Sequence, residues 1–147
     1  DINGNDVEVD DRAKTDYTIE DQASWYLRYT VMGMSYGVER IFIDLSGADG
    51  SGLGSSALYS QEGARPFLGT LQALAEALDG YDSVEVLEEG QYLFTINGES
   101  VYVLWDGDLP SEISGSLTVI DVLGEESSMD ASEISFSESS PLIVKIS

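Results

Sequence analysis

The amino-acid sequence predicts an α+β protein: an antiparallel β-sandwich or half-sandwich with two amphipathic helices and one strand of the parallel type. Three observations carry this. Apolar residues recur at helical spacing between Thr18 and Gly37 and again between Pro66 and Gly80. After Asp82 the apolar period changes from helical to two, with turn residues between the runs. Between the two helix patterns lies one short apolar run, V-E-R-I-F-I-D-L from Val38 to Leu45, closed by a Gly/Ser-rich loop. A helix, a buried strand, a loop and a second helix follow one another as in a parallel unit. The spacing divides the chain into an acidic arm over 1–17, a helix–strand–helix segment over 18–81 and an antiparallel β region over 82–147.

Thr18 is a good helix N-cap, and Asp21 stands three residues on, where it can complete a capping box. Glu20 and Asp21 also suit the positive end of the helix dipole. Ala23, Tyr26, Leu27, Val31 and Met34 mark one buried face, and Gly37 supplies the stop. The strand Arg40 to Leu45 follows almost at once. Pro66 then opens the second helix, whose apolar stripe runs through Phe67, Leu68, Leu71, Leu74, Ala75 and Leu78 to Gly80. Strands are expected around Val84 and Val86 and over Tyr92–Ile96. Asn97-Gly98 is a strong signal for a type I′ hairpin turn, with Val101–Trp105 as the partner strand. Further strands are expected at Ser116–Val122, Ile134–Phe136 and Leu142–Ile146, and the acidic tract Gly124–Glu133 reads as a solvated loop.

Composition removes several functions. The 147 residues include 28 Asp and Glu against 6 Lys and Arg, a formal charge of −22. Such a surface repels nucleic-acid phosphates and anionic membranes, and it favours cations, solubility and high salt. No apolar run approaches a membrane span, so no membrane insertion is expected. The chain has no Cys and no His. Disulfides, thiol chemistry and every Ser-His or Cys-His nucleophile are therefore absent. The glycines of 47–54 are not a phosphate loop, because no G-K-[ST] follows. A processed, exported chain whose leader has been removed is the expectation, hence an extracellular or cell-surface location.

Calcium is the one cofactor this composition invites. Asp1, Asn3 and Asn5 with Gly4 resemble the start of a calcium loop, although Asp6 and Arg12 stand where Gly and a carboxylate are wanted. Asp106 and Asp108 are a second candidate pair, and turn residues by default. Asp121 is expected to hold a turn. Trp25 and Trp105 offer stacking faces for a polysaccharide, although Trp25 within a helix and Trp105 at a strand end also suit a core.

The order of these segments resembles the C-terminal part of clan-A glycoside hydrolases of the β-xylosidase and α-iduronidase type. The likeness is carried by Thr18, Glu20, Gln22 and Ala23 at the helix start, by G-V-E-R-I-F-I-D-L, by A-R-P-F before the second helix, by Y-L-F-T-I-N-G-E-S-V-Y-V-L-W, and by L-T-V-I-D-V-L-G with S-P-L-I. The resemblance implies that Arg40–Leu45 is a remnant parallel strand of a TIM barrel, flanked by its last two helices, with the barrel's β-sandwich following. It also implies that both catalytic glutamates would precede residue 1, so the chain reads as non-catalytic by itself, with the C-terminal fragment of a longer glycoside hydrolase as the alternative. A lone barrel strand then needs a partner. We expect Arg40, Ile41, Phe42, Ile43, Asp44 and Leu45 to pair with another chain or with the acidic arm. The result would be a structural subunit, a homo-oligomer or polymer joined by strand complementation.

Overall fold

The structure is a computed structural model, and it describes residues 18–41, 59–60, 63–64 and 67–146. Helix α1 spans Ile19–Ser35. Thr18 caps it as expected: its hydroxyl accepts from the Asp21 amide at 3.1 Å, and the Asp21 carboxylate accepts from the Thr18 amide at 2.9 Å. Gly37 leaves the helix at φ 78°, a left-handed conformation that favours glycine. Helix α2 spans Phe67–Leu78. Two short strands, β1 (Tyr59–Ser60) and β2 (Gly63–Ala64), pair antiparallel just before it.

The rest is one six-stranded sheet. Its strands are β3 (Ser83–Glu88), β4 (Gln91–Ile96), β5 (Glu99–Leu104), β6 (Ser116–Ile120), β7 (Glu126–Asp130) and β8 (Leu142–Ile146). They lie in the order β3-β4-β5-β8-β6-β7, and every neighbouring pair is antiparallel. Two helices with such a sheet define the α+β class. The β4–β5 hairpin turns on Asn97 at φ 53° and Gly98 at φ 83°, the left-handed pair a type I′ turn requires.

Strand alternation sends side chains to both faces, and both faces are covered. On one, Leu27 and Val31 of α1 and Ala73, Leu74, Ala77 and Leu78 of α2 pack on Phe94, Val101, Val103 and Ile143. The segments 18–81 and 82–147 thus share a core. On the other face, Tyr102, Leu104, Leu117, Val119, Leu142 and Val144 lie under Ile113, Leu109, Ile134 and Phe136 from the connecting loops.

Two contacts seat the helices. Ser24 of α1 is buried and its hydroxyl donates to the Glu138 carbonyl, while Arg28 reaches the Glu138 carboxylate at 3.1 Å. Gly69 of α2 lies against the turn between β6 and β7, where a Cβ would overlap the Leu123 carbonyl oxygen. Beside it the buried Thr70 hydroxyl donates to the Val122 carbonyl at 2.5 Å. Asp121 holds that turn, as expected: one carboxylate oxygen accepts from the amides of Leu123 and Glu125, both at 2.9 Å.

Three sequence expectations are corrected. The tract Gly124–Glu133 is not all loop, because Glu126–Asp130 forms β7. It pairs with β6 through its backbone, a bond that needs no apolar alternation. Ile134–Phe136 is not a strand: Asp130 caps a short 3₁₀ turn over Ala131–Glu133, and the chain then lays Ile134 and Phe136 over the sheet as a loop. Arg40 and Ile41 are not in a strand, since α1 unwinds through Gly37 into an exposed extension over Val38–Arg40. Phe42, Ile43, Asp44 and Leu45 lie outside the described residues.

Candidate functional site

The sheet has two outer strands, β3 and β7, and among the described residues nothing pairs with their outward edges. Strand β7, E-S-S-M-D, is polar; only Met129 turns inward to the core. Strand β3, S-V-E-V-L-E, is different. Val86 is 52 % exposed and Leu87 39 % exposed. The register shifts between Val86 and Glu88, so Leu87 sits in a bulge. An edge that keeps apolar side chains in solvent and an unmatched row of backbone groups is a template for another strand.

The register assigns each side chain to a face. Val84 pairs with Phe94 and Val86 with Tyr92, both in the helix-side core, while Glu85 pairs with Leu93 and Glu88 with Gln91 on the opposite face. Tyr81 braces this end of the sheet edge-on to Phe94, with ring centroids 5.4 Å apart. Tyr92 is buried and stacks on Trp105 at 4.8 Å. Burial first, then the nearby Tyr36 phenol and Glu89 carboxylate, push the Tyr92 phenol above its usual value. Tyr36, the C-cap of α1, is 84 % exposed. Exposed Asp82, Glu85, Glu88 and Glu89 make the surroundings of this edge negative.

A second surface runs along α1. Trp25, Tyr29, Met32 and Tyr36 are separated by four, three and four residues and share one helix face, turned away from the buried Ala23, Leu27 and Val31. Trp25 is 46 % exposed. The core reading of Trp25 is corrected, because its position falls nearly opposite the packed face. Trp105 is 5 % exposed and belongs to the core, where no sugar can stack on it.

The acidic candidates separate. Asp1, Asn3 and Asn5 lie outside the described residues. Asp106 and Asp108 are exposed turn residues whose carbonyls accept from the buried Gln91 amide at 3.0 and 2.6 Å. The Asp106 carboxylate accepts from the Gly107 amide at 2.8 Å. Among the described residues no group of three or more carboxylates gathers as a metal site. The β3 edge was not singled out in the sequence, although the interleaving of Val84 and Val86 with Glu85 and Glu88 is the mark of a strand with one wet face.

No family model matches the chain, and no curated protein or solved structure matches it. None of these comparisons links the chain to glycoside hydrolases.

Proposed function

We propose that the chain is a non-catalytic, extracellular assembly subunit that joins a neighbouring chain by accepting a strand along the outer edge of β3. The exposure of Val86 and Leu87 on an edge strand carries this reading. Charges and bulges are ways of blunting an edge, and β3 has Glu85, Glu88 and the bulge at Leu87, yet it still keeps Val86 and Leu87 in solvent. Main-chain hydrogen bonds supply affinity in strand addition, and alternate side chains supply selectivity. Where each chain also donates a strand to the next, a contact of this kind builds rings or filaments.

Amide hydrogen exchange on residues 83–88 tests it, with the protein at rising concentration and with a panel of extended peptides of differing charge. Protection of the outward amides, by self-association or by any peptide, is the expected result. Exchange that stays fast under every condition overturns the reading.

The aromatic face of α1 favours one alternative, a carbohydrate-binding module using Trp25, Tyr29 and Tyr36. Pull-down on insoluble polysaccharide separates the two. Retention that is lost in Trp25→Ala and kept in Val86→Asp points to the carbohydrate.

A further inference from the structure

Resting on the strand-accepting reading, we propose that the strand β3 takes is alternately basic and apolar, and comes from a different protein. An added strand continues the alternation of the sheet, so its successive side chains fall on the two faces in turn. On one face they meet Glu85 and Glu88. On the other they meet Val86. Lysine or arginine on the first face and a β-branched residue on the second complement both.

Charge decides the source. The described cations are Arg28, Arg40 and Lys145. Arg28 is engaged with Glu138, and Lys145 lies on β8, separated from β3 by β5 and β4. Arg40 is exposed beyond the end of α1, and among the described residues none of the three forms an ion pair with Glu85 or Glu88. A second copy offers its own edges, and these repeat the same sign: Glu85 and Glu88 on β3, Glu126 and Asp130 on β7. Like charges set opposite each other across a ladder destabilise the pair. The net charge of −22 adds a long-range repulsion between copies and an attraction for a basic partner. A basic strand meets neither obstacle.

The probe is a capped synthetic peptide of four Lys-Val repeats, titrated calorimetrically at physiological salt, with hydrogen exchange on residues 83–88 read in parallel. Controls are a Lys-Pro peptide of equal charge, which lacks every second backbone N–H and favours the polyproline II helix over a flat strand, and a Glu-Val peptide. The Lys-Val peptide is expected to bind at least tenfold more tightly than Lys-Pro and to protect β3. Glu85→Lys should weaken it at least fivefold, as should Val86→Asp, and Glu85→Lys should improve binding of Glu-Val. Both positions are exposed, and unchanged circular dichroism shows the variants fold. Equal binding of Lys-Val and Lys-Pro, with β3 unprotected, overturns the inference, because surface charge alone then explains binding. Protection of β3 by Glu-Val or by the protein's own copies as strong as by Lys-Val also overturns it, but leaves the strand-accepting edge standing. No protection by any partner removes both.

Discussion

Gly69→Ala and Gly33→Ala are the same substitution in two helices and should move stability in opposite directions. In a helix interior alanine is favoured over glycine by about 1 kcal/mol. At Gly33 in α1 the added methyl would meet Ile41 Cδ1 at 3.4 Å and Val38 Cβ at 3.8 Å, ordinary contacts that nothing must yield to. Most of the intrinsic gain should survive, so Gly33→Ala is expected to stabilise by roughly 0.5–1 kcal/mol. At Gly69 the methyl would overlap the Leu123 carbonyl, and a backbone oxygen cannot swing aside as a side chain can. Forcing α2 off the turn costs up to about 3 kcal/mol of overpacking. It also pulls the Thr70 hydroxyl from the Val122 carbonyl, a further loss of about 1 kcal/mol for a buried bond. After the helical gain is subtracted, a net destabilisation of roughly 3 kcal/mol remains. For a chain of this size that is about 12 °C in Tm. Urea denaturation followed by far-ultraviolet circular dichroism, at fixed ionic strength, measures both. Gly69→Ala as stable as the parent would mean that α2 does not rest on the β6–β7 turn. A shift of the two variants in the same direction would refute the contact argument altogether.

Other expectations follow from single contacts. Tyr92 and Tyr102 both have phenols raised above the usual tyrosine value, in each case chiefly by burial. A raised folded-state value gives stability that is complete below pH of about 10 and lost as pH rises through the folded value. Phenolate absorbance should place Tyr92 and Tyr102 among the late-titrating tyrosines, and Tyr92→Phe should remove one of that group. Asp130 is held below its usual range by hydrogen bonds from the Ser132 hydroxyl and amide. Its contribution is present above the ordinary carboxylate value and fades as pH falls through the folded one, so Asp130→Ala should matter at neutral pH and vanish under acid, by chemical denaturation at several pH values. Arg28 is mostly buried, its Nε finds no partner, and its carboxylate partner Glu138 is largely exposed. Arg28→Met, which keeps the packing stem, should change stability by no more than about 0.5 kcal/mol. Trp105→Ala removes one ring of a buried stack and should cost about 3–5 kcal/mol in the same assay.

Local chemistry was legible in the sequence, and long-range placement was not. Thr18 and Asp21 announce the start of α1, and Asn97-Gly98 the β4–β5 hairpin, because caps and turns are built from residues a few positions apart. Strand β7 leaves no apolar pattern in the sequence because its pairing with β6 is a backbone matter and only Met129 looks inward. Ile134 and Phe136 alternate as a strand would, yet pack as a loop, since the 3₁₀ turn capped by Asp130 carries the chain away from the ladder. Gly69 gave no signal: its need for a missing Cβ comes from Leu123, far along the chain. The candidate edge was half legible. Valine and glutamate alternate visibly in S-V-E-V-L-E, but an outer strand is defined by what does not lie beside it, and that is a property of strand order.

The same strand order constrains how the molecule can be made. Among the described strands β8 is synthesised after the others, yet it sits in the middle of the sheet, between β5 and β6. Until residues 142–146 leave the ribosome, β3-β4-β5 and β6-β7 are two separate meanders with no hydrogen bonds between them. Val119 and Val144, which face each other across the β6–β8 ladder, cannot meet before then. Closure is therefore a late, non-local event, of the kind that slows folding. A nascent chain stalled short of Leu142 would show two inner edges open beside the outer pair, and would be the form most exposed to mispairing.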